Sequence, residues 1–372
     1  MVKTSRIVNN FMELARLDSL SCEEKKVADF LVDNLKSLGV HVGVDETGKK
    51  IGGDTGNVIV RVPGDSQFPT LIFSAHMDTV EPGRGIEPAL SKGVIRSEGE
   101  TILGADDKAG VVAVLELAYV LKENEFPHGD IFLIFTVAEE IGLLGAKNLD
   151  MTQLGANYAY VIDGDGEVGG IVVKAPSQNY INATFKGRAS HAGVSPEAGI
   201  NAIQAAALAI SKMKLGRISK GTTANIGVIR GGLASNIIPQ ETRVEGEARS
   251  FSLGKLNAQT GQMKRHLING AKAVRAKVDV EIKRAYDGFS FTKRSKIAKF
   301  AMEAMKKIDL EPRLFSSGGG SDANVFNKVG VPAINISVGA ENAHTVQEQL
   351  VLEELEKLAQ LLPEIIRTIS GG

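Results

Sequence analysis

The sequence predicts an α/β protein: a discontinuous domain with a mixed sheet flanked by helices, into which a smaller ferredoxin-like βαββαβ domain is inserted. Three observations predict it. Short apolar runs alternate with helical patterns over residues 1–177. The middle of the chain, residues 178–288, reads as strand, helix, two strands, helix, strand. A buried-type strand then returns at Ala333–Val338, so segments 1–177 and 289–372 are expected to share one domain around the insertion at 178–288. A length of 372 residues suits two domains.

Taken in order, Val8, Phe11, Met12 and Ala15 recur at helical spacing and predict a helix over about 5–17, followed by a second over about 22–38. Short strands are expected near 40–45, at Asn57–Val62 and at Pro69–Ser74. The last of these has a continuous Leu71-Ile72-Phe73 run of the kind buried on both faces. Ala109–Lys122 is so uniformly apolar that it must be an interior helix. Strands Ile131–Val137 and Tyr158–Ile162 flank a helix-like Gly142–Leu149. In the insertion, Asn179–Lys186, Thr223–Ile229, Thr242–Ser250 and Val278–Ala285 read as strands, and Ile200–Met213 and Leu253–Ala273 as helices. Helix 293–307, the Gly-rich loop Ser316–Ser321, a short helix, strand Ala333–Val338 and a helix from about Glu348 to Thr368 complete the chain.

Composition narrows the function. The balance of 43 basic and 44 acidic residues, net charge −1, gives no reason to expect nucleic acid or an acidic membrane surface as partner. No run approaches the ~20 apolar residues of a membrane span, and the N-terminal segment has neither the apolar stretch nor the cleavage site of a signal peptide. The single cysteine, Cys22, excludes an internal disulfide and fits a reducing compartment, so a cytoplasmic protein is expected. Cys22 itself reads as a residue at a helix start without chemical role.

Five polar clusters follow predicted strands or open a helix. His76-Met77-Asp78 comes directly after Leu71–Phe73, where ligands gather in open α/β sheets; a bend in the chain would let Asp78 orient His76. Asp106-Asp107 opens the buried helix between glycines, which reads either as a helix cap or as a metal ligand. Glu139-Glu140 ends the apolar strand Ile131–Val137, where charge is costly unless something compensates it. If one Glu binds metal, its neighbour is placed to move the proton of the attacking water. Asp163 ends the strand Tyr158–Ile162, and His344 follows the strand ending at Val338. Each has a plain alternative as a capping or surface residue; their coincidence at one edge of a sheet favours a metal centre.

Together with Gly187-Arg188-Ala189-Ser190-His191-Ala192-Gly193 and Ala234-Ser235-Asn236-Ile237-Ile238-Pro239, these motifs resemble the co-catalytic zinc peptidases and amidohydrolases that include peptidase T, carboxypeptidase G, aminoacylase-1 and succinyl-diaminopimelate desuccinylase. The resemblance runs from about residue 5 to 368. The His76-Met77-Asp78-Thr79 and Gly104–Gly110 segments look most like peptidase T, whereas Gly142–Ala146 looks more like the desuccinylase and carboxypeptidase branches.

The resemblance implies two Zn²⁺ ions, with Co²⁺ or Mn²⁺ as possible substitutes. One would sit on His76, Asp106 and Asp163 and the other on Asp106, Glu140 and His344. Glu139 would be the general base toward the shared water, and Asp78 would orient His76. It further implies a homodimer through the inserted domain, with His191 stabilising the oxyanion in the partner's site. Arg249 becomes a candidate for a substrate carboxylate, and Asn236 and Gly319 become candidate substrate contacts. The expected activity is removal of the N-terminal residue from short peptides. An N-acyl-amino-acid amidohydrolase or a carboxypeptidase with the same metal site is the alternative, and a non-catalytic metal-binding scaffold a remote one.

Overall fold

A computed structural model describes residues 2–151 and 154–371. The chain divides into two compact units, Met1–Lys174 with Ser290–Ser316 and Ser321–Gly372, and Ala175–Phe289 with Ser317–Gly320.

The first unit is built on a mixed sheet. Strands His41–Val44, Val58–Val62, Ile131–Thr136, Leu71–His76, Tyr158–Gly164, Ala333–Ser337 and Gly170–Ala175 lie side by side in that order. Leu71–His76 runs parallel to both of its neighbours, and Ala333–Ser337 runs parallel to Tyr158–Gly164. The pairs toward Val58–Val62 and Gly170–Ala175 are antiparallel. Leu71–His76 and Ile131–Thr136 are buried along their whole length, as strands covered by helices on both faces must be. The helix Ala105–Glu123 is almost wholly buried beside them. It carries Gly110, where a methyl group would stand 2.1 Å from the Ile162 carbonyl oxygen of the adjacent strand. Only glycine lets helix and strand approach so closely.

The long C-terminal helix is Leu352–Ser370, shorter at its start than the pattern suggests, because Gln349–Val351 is spent on a strand. That strand belongs to a four-stranded sheet, ordered Ala340–Glu341, Gln349–Val351, Val94–Ser97, Pro88–Ser91, which sequence reading missed. Its strands, two to four residues each, are too short to give a period-two signal. The sheet matters for the site, since it fixes the segment carrying His344 against the stretch leading to Asp106.

The second unit is an antiparallel sheet ordered Gly216–Ser219, Thr222–Gly231, Glu241–Ser250, Ser177–Lys186, Lys277–Tyr286. Apart from the short edge strand Gly216–Ser219, which the sequence did not suggest, this is the expected ferredoxin-like arrangement. Alternating burial along Ser177–Lys186 and Glu241–Ser250 turns one face toward Ala202–Ile210 and Leu253–Ala273. The two helices meet closely at Gly270, where a methyl group would lie 2.5 Å from the Ala205 carbonyl oxygen. The loop Ser317–Gly320 packs with this unit: Arg249 Nη1 donates to the Gly318 carbonyl at 3.4 Å, and Gly320 lies against the Tyr286 ring with no room for a side chain.

Candidate metal centre

The carboxyl ends of three adjacent parallel strands place the first residues of the site. His76 closes its strand in register with Thr136, three residues before Glu139, and Asp163 lies near the end of the next strand. Asp106 enters from the start of the long helix, where backbone angles at Asp106 and Asp107 are not yet helical, and His344 from the loop after Ala340–Glu341. All five predicted ligands converge within the first unit. His76 Nε2 lies 3.2 Å from Asp106 Oδ1 and 3.8 Å from Asp163 Oδ1. His344 Nε2 lies 3.2 Å from Asp106 Oδ2 and 2.8 Å from Glu140 Oε1. The two oxygens of Asp106 thus face two different imidazoles.

Asp78 does two things, one expected and one not. The chain turns after His76, so that His76 Nδ1 meets the Asp78 carbonyl at 3.0 Å and its carboxylate at 3.3 Å. The same carboxylate accepts the backbone N–H groups of Glu139 and Glu140 at 3.0 and 3.1 Å, with Ser21 Oγ donating at 2.6 Å. The two preceding amides are held likewise: Glu24 Oε1 accepts from Ala138 N at 2.8 Å and Asn57 Oδ1 from Val137 N at 3.1 Å. Four consecutive amides of the Val137–Glu140 turn are therefore fixed by side chains of three earlier segments. Ala138 adopts a left-handed φ of 51° there, as do Asn342 and His344 at 56° and 63°. Such conformations in non-glycine residues persist where the surroundings impose them, and they cluster at functional sites.

The electrostatics show what the donor set is suited to hold. Burial first, then the charge of Asp163, pushes the Glu139 carboxyl well above its ordinary value. Burial also drives Asp163 and Asp107 up, helped by neighbouring carboxylates and opposed by His76. At Asp106 burial again raises, but hydrogen bonds from His344 and His76 outweigh it and hold the group below the usual range. His344 is pushed up to about 10 by its hydrogen bonds to Asp106 and Glu140. His76 stands well above its usual value; burial acts against this, and Asp106 and Asp78 overcome it. Buried carboxylates crowded around two imidazoles call for compensating positive charge. Donor atoms of His76, Asp106 and Glu140 lie within 4.8 Å of one another, as do those of His76, Asp107 and Asp163. Imidazole and carboxylate donors at this spacing fit divalent cations.

The sequence profile of peptidase family M20/M25/M40 matches residues 72–368. The chain belongs to that family. It is accordingly a hydrolase of the peptidase class. It is 43% identical to the uncharacterized protein YqjE of Bacillus subtilis strain 168, over 98% of this chain and 99% of the relative. It is 27% identical to peptidase T of Geobacillus sp. strain WCH70, over 92% and 90%. Among solved structures it resembles aminopeptidase PepT from Bacillus cereus ATCC 10987, with a TM-score of 0.87, 45% identity and 99% of each chain covered. It also resembles a tripeptidase from Staphylococcus aureus Mu50, with a TM-score of 0.92, 38% identity and 100% of each chain covered. Bacillus subtilis YXEP, described as a dinuclear metal-binding M20 peptidase, shares the fold at 20% identity and TM-score 0.73, with 98% of this chain and 97% of that one covered.

The other predicted site residues of this M20 chain lie in the second unit and are described within it. His191 pairs with Ile237 in an isolated bridge, and its Nδ1 accepts from Gly193 N at 3.2 Å. The Asn236 carbonyl accepts from Ala192 N at 2.9 Å. Arg249 is gripped by Glu247, with Nε and Nη2 donating at 3.1 and 3.0 Å. Gly319 N donates to Ser317 Oγ at 3.0 Å.

Besides Asp107, which was named with Asp106, several buried groups near this cluster escaped sequence reading. Asp107 accepts from His76 N at 3.0 Å. Asp322 accepts from Thr136 Oγ1 at 2.6 Å, and burial pushes it up to about 6. Glu24, Asn57 and Glu348 hold backbone amides. Asp107 was signalled by its neighbour; the rest bond to main-chain groups or to a strand threonine, which leave no spacing pattern to read. Cys22, expected at a helix start, instead precedes the helix Lys25–Ser37 with φ 74°, its N–H donated to Glu24 Oε1 at 3.0 Å.

Proposed function

We propose that this M20 chain is a two-metal aminopeptidase that releases the N-terminal residue of short peptides, tripeptides in particular. The observation that carries it is Asp106, which offers one carboxylate oxygen toward His76 and the other toward His344. The kinship with an aminopeptidase PepT and a tripeptidase, both above a third identical along the whole chain, favours this reading over the amidohydrolase, carboxypeptidase and scaffold alternatives.

In this reading His76, Asp106 and Asp163 hold one cation, and Asp106, Glu140 and His344 hold the other. Asp107 is left to fix the strand end, because its oxygens already receive His76 N and Gly110 N. Bound zinc, with cobalt or manganese as substitutes, supplies Lewis acidity toward the scissile carbonyl and acidifies the attacking water. Glu139, buried beside Asp163 with its carboxyl pushed above the ordinary range, is the group we assign to take the water proton at its carboxylate and return it to the leaving amine. Asp78 orients the His76 ring and anchors the Glu139 and Glu140 amides, so one carboxylate aligns a ligand, the base and a second ligand.

The roles of the second unit rest on the family resemblance. We assign it dimerisation, with His191 as oxyanion donor, Arg249 as partner for the substrate carboxylate, and Asn236 and Gly319 as substrate contacts. Among the described residues no helix is long and apolar enough to cross a membrane, and we place the enzyme in the cytoplasm, acting without nucleic acid or membrane.

The test is a panel of a free-amine tripeptide, its N-acetylated form and a dipeptide, each with and without chelator. We expect cleavage of the free tripeptide that chelator abolishes, with the acetylated form untouched. Cleavage of the acetylated peptide would overturn the aminopeptidase reading.

A further inference from the structure

We infer that Glu348 is a positioning residue: it holds the Leu103–Asp106 loop in its ligand-presenting shape before a cation arrives and ties that loop to the segment carrying His344. The inference rests on the metal assignment proposed above. Glu348 is 2% exposed and lies four residues beyond His344, immediately before the strand Gln349–Val351. Its Oε2 accepts from Leu103 N at 2.8 Å and Gly104 N at 2.7 Å, and its Oε1 from Asp106 N at 3.0 Å. Leu103 and Gly104 precede the helix Ala105–Glu123, and Asp106 stands at its start where backbone angles are not yet helical, so these N–H groups have no partner within the helix. Three charge-assisted bonds to one buried carboxylate, across 242–245 residues of sequence, are far more than a cap requires.

The segment behind Glu348 is equally constrained. Glu348 N donates to the Thr345 carbonyl at 3.1 Å, and Thr345 Oγ1 donates to the Asn342 carbonyl at 2.8 Å. Gln349–Val351 then pairs with Val94–Ser97. His344 therefore sits on a short tether whose far end grips the Asp106 loop. His76 does not depend on that tether, because its strand and the Asp107 carboxylate fix it independently. Loss of the Glu348 carboxylate should loosen Asp106 relative to His344 more than relative to His76. The two cation sites should then suffer unequally. A residue that only stabilised the fold would not discriminate between them.

Glu348→Gln tests this, since one accepting oxygen becomes an NH₂ group facing amide N–H donors. The control is Glu116→Gln. Glu116 is fully buried, accepts Arg6 Nε at 2.5 Å, and lies about 15 Å further along the same helix. Metal-free proteins would be titrated with zinc by calorimetry. We expect two ions in the wild type and in Glu116→Gln. In Glu348→Gln one ion should bind as in the wild type and the other ~10–100-fold more weakly. Two unchanged sites in Glu348→Gln, or the same loss in Glu116→Gln, would overturn the inference. Should Glu348→Gln fail to fold, hydrogen exchange in the metal-free wild type decides: slow exchange at Leu103, Gly104 and Asp106 supports the inference, and exchange as fast as in an open loop overturns it. A wild type that takes up fewer than two ions would instead sink the two-metal reading, while the exchange measurement still judges Glu348.

Discussion

Glu139 and Glu140 are adjacent in sequence, yet they stand in different surroundings. Glu140 reaches His344 at 2.8 Å, whereas burial first, and then the charge of Asp163, discourages ionisation of the Glu139 side chain. This division predicts the behaviour of Glu139→Gln. The variant should keep both metals and its fold but lose ~10²–10⁴-fold in kcat, the usual worth of a positioned proton carrier. Metal content and steady-state kinetics on one preparation check it, and full activity would remove Glu139 from the mechanism. At this scale the five converging residues, His76, Asp106, Glu140, Asp163 and His344, were legible because each stands at or just past the end of a strand or at a helix start, where a charge has few other reasons to be. Glu24, Asn57 and Glu348 were not legible, since the amides they hold are present at every residue and mark nothing in the sequence.

Among elements, the helix Ala105–Glu123 and the strand Tyr158–Gly164 show how packing serves the site. They touch at Gly110, and Asp106 and Asp163 lie at the neighbouring ends of the same two elements. Gly110→Ala should force them apart and destabilise the protein by about 1–3 kcal/mol, the usual cost of overpacking a core. Gly261→Ala, in the helix Leu253–Ala273, meets only the end of the flexible Arg265 side chain at 3.6 Å. It should have the opposite sign, stabilising by about 0.5–1 kcal/mol through reduced backbone entropy. Thermal unfolding of both variants tests the contrast; a neutral Gly110→Ala would show that the contact can relax. The long elements were readable from periodicity. The small sheet of Pro88–Ser91, Val94–Ser97, Ala340–Glu341 and Gln349–Val351 was not, because strands of two to four residues are too short to carry a period.

For the molecule as a whole, each unit has its own apolar core. That of the second contains Ile181, Phe185, Ala205, Val244, Leu256 and Met263, contributed by both helices and the central strands. Its main segment, 175–289, is continuous in sequence. That segment expressed alone should unfold cooperatively in urea, as a domain with its own core does; a non-cooperative or absent transition would show that it depends on the rest of the chain. The ferredoxin-like order was legible from alternating strands and two helices, whereas the association of Ser317–Gly320 with this unit was not. It follows from Gly320 lying on the Tyr286 ring, and a glycine run alone does not name its neighbour.

The spread of the site along the chain also sets a timetable for synthesis. His76, Asp106, Glu140 and Asp163 leave the ribosome within the first half of translation, and the Val137–Glu140 turn then already has Glu24, Asn57 and Asp78 to anchor it. Yet the sheet gains its Ala333–Ser337 strand, and the Asp106 loop its Glu348 anchor, only when the final tenth or so of the polypeptide emerges. A growing chain thus carries four of the five candidate ligands without His344 or the Glu348 anchor, and the candidate centre is assembled only with the completed fold.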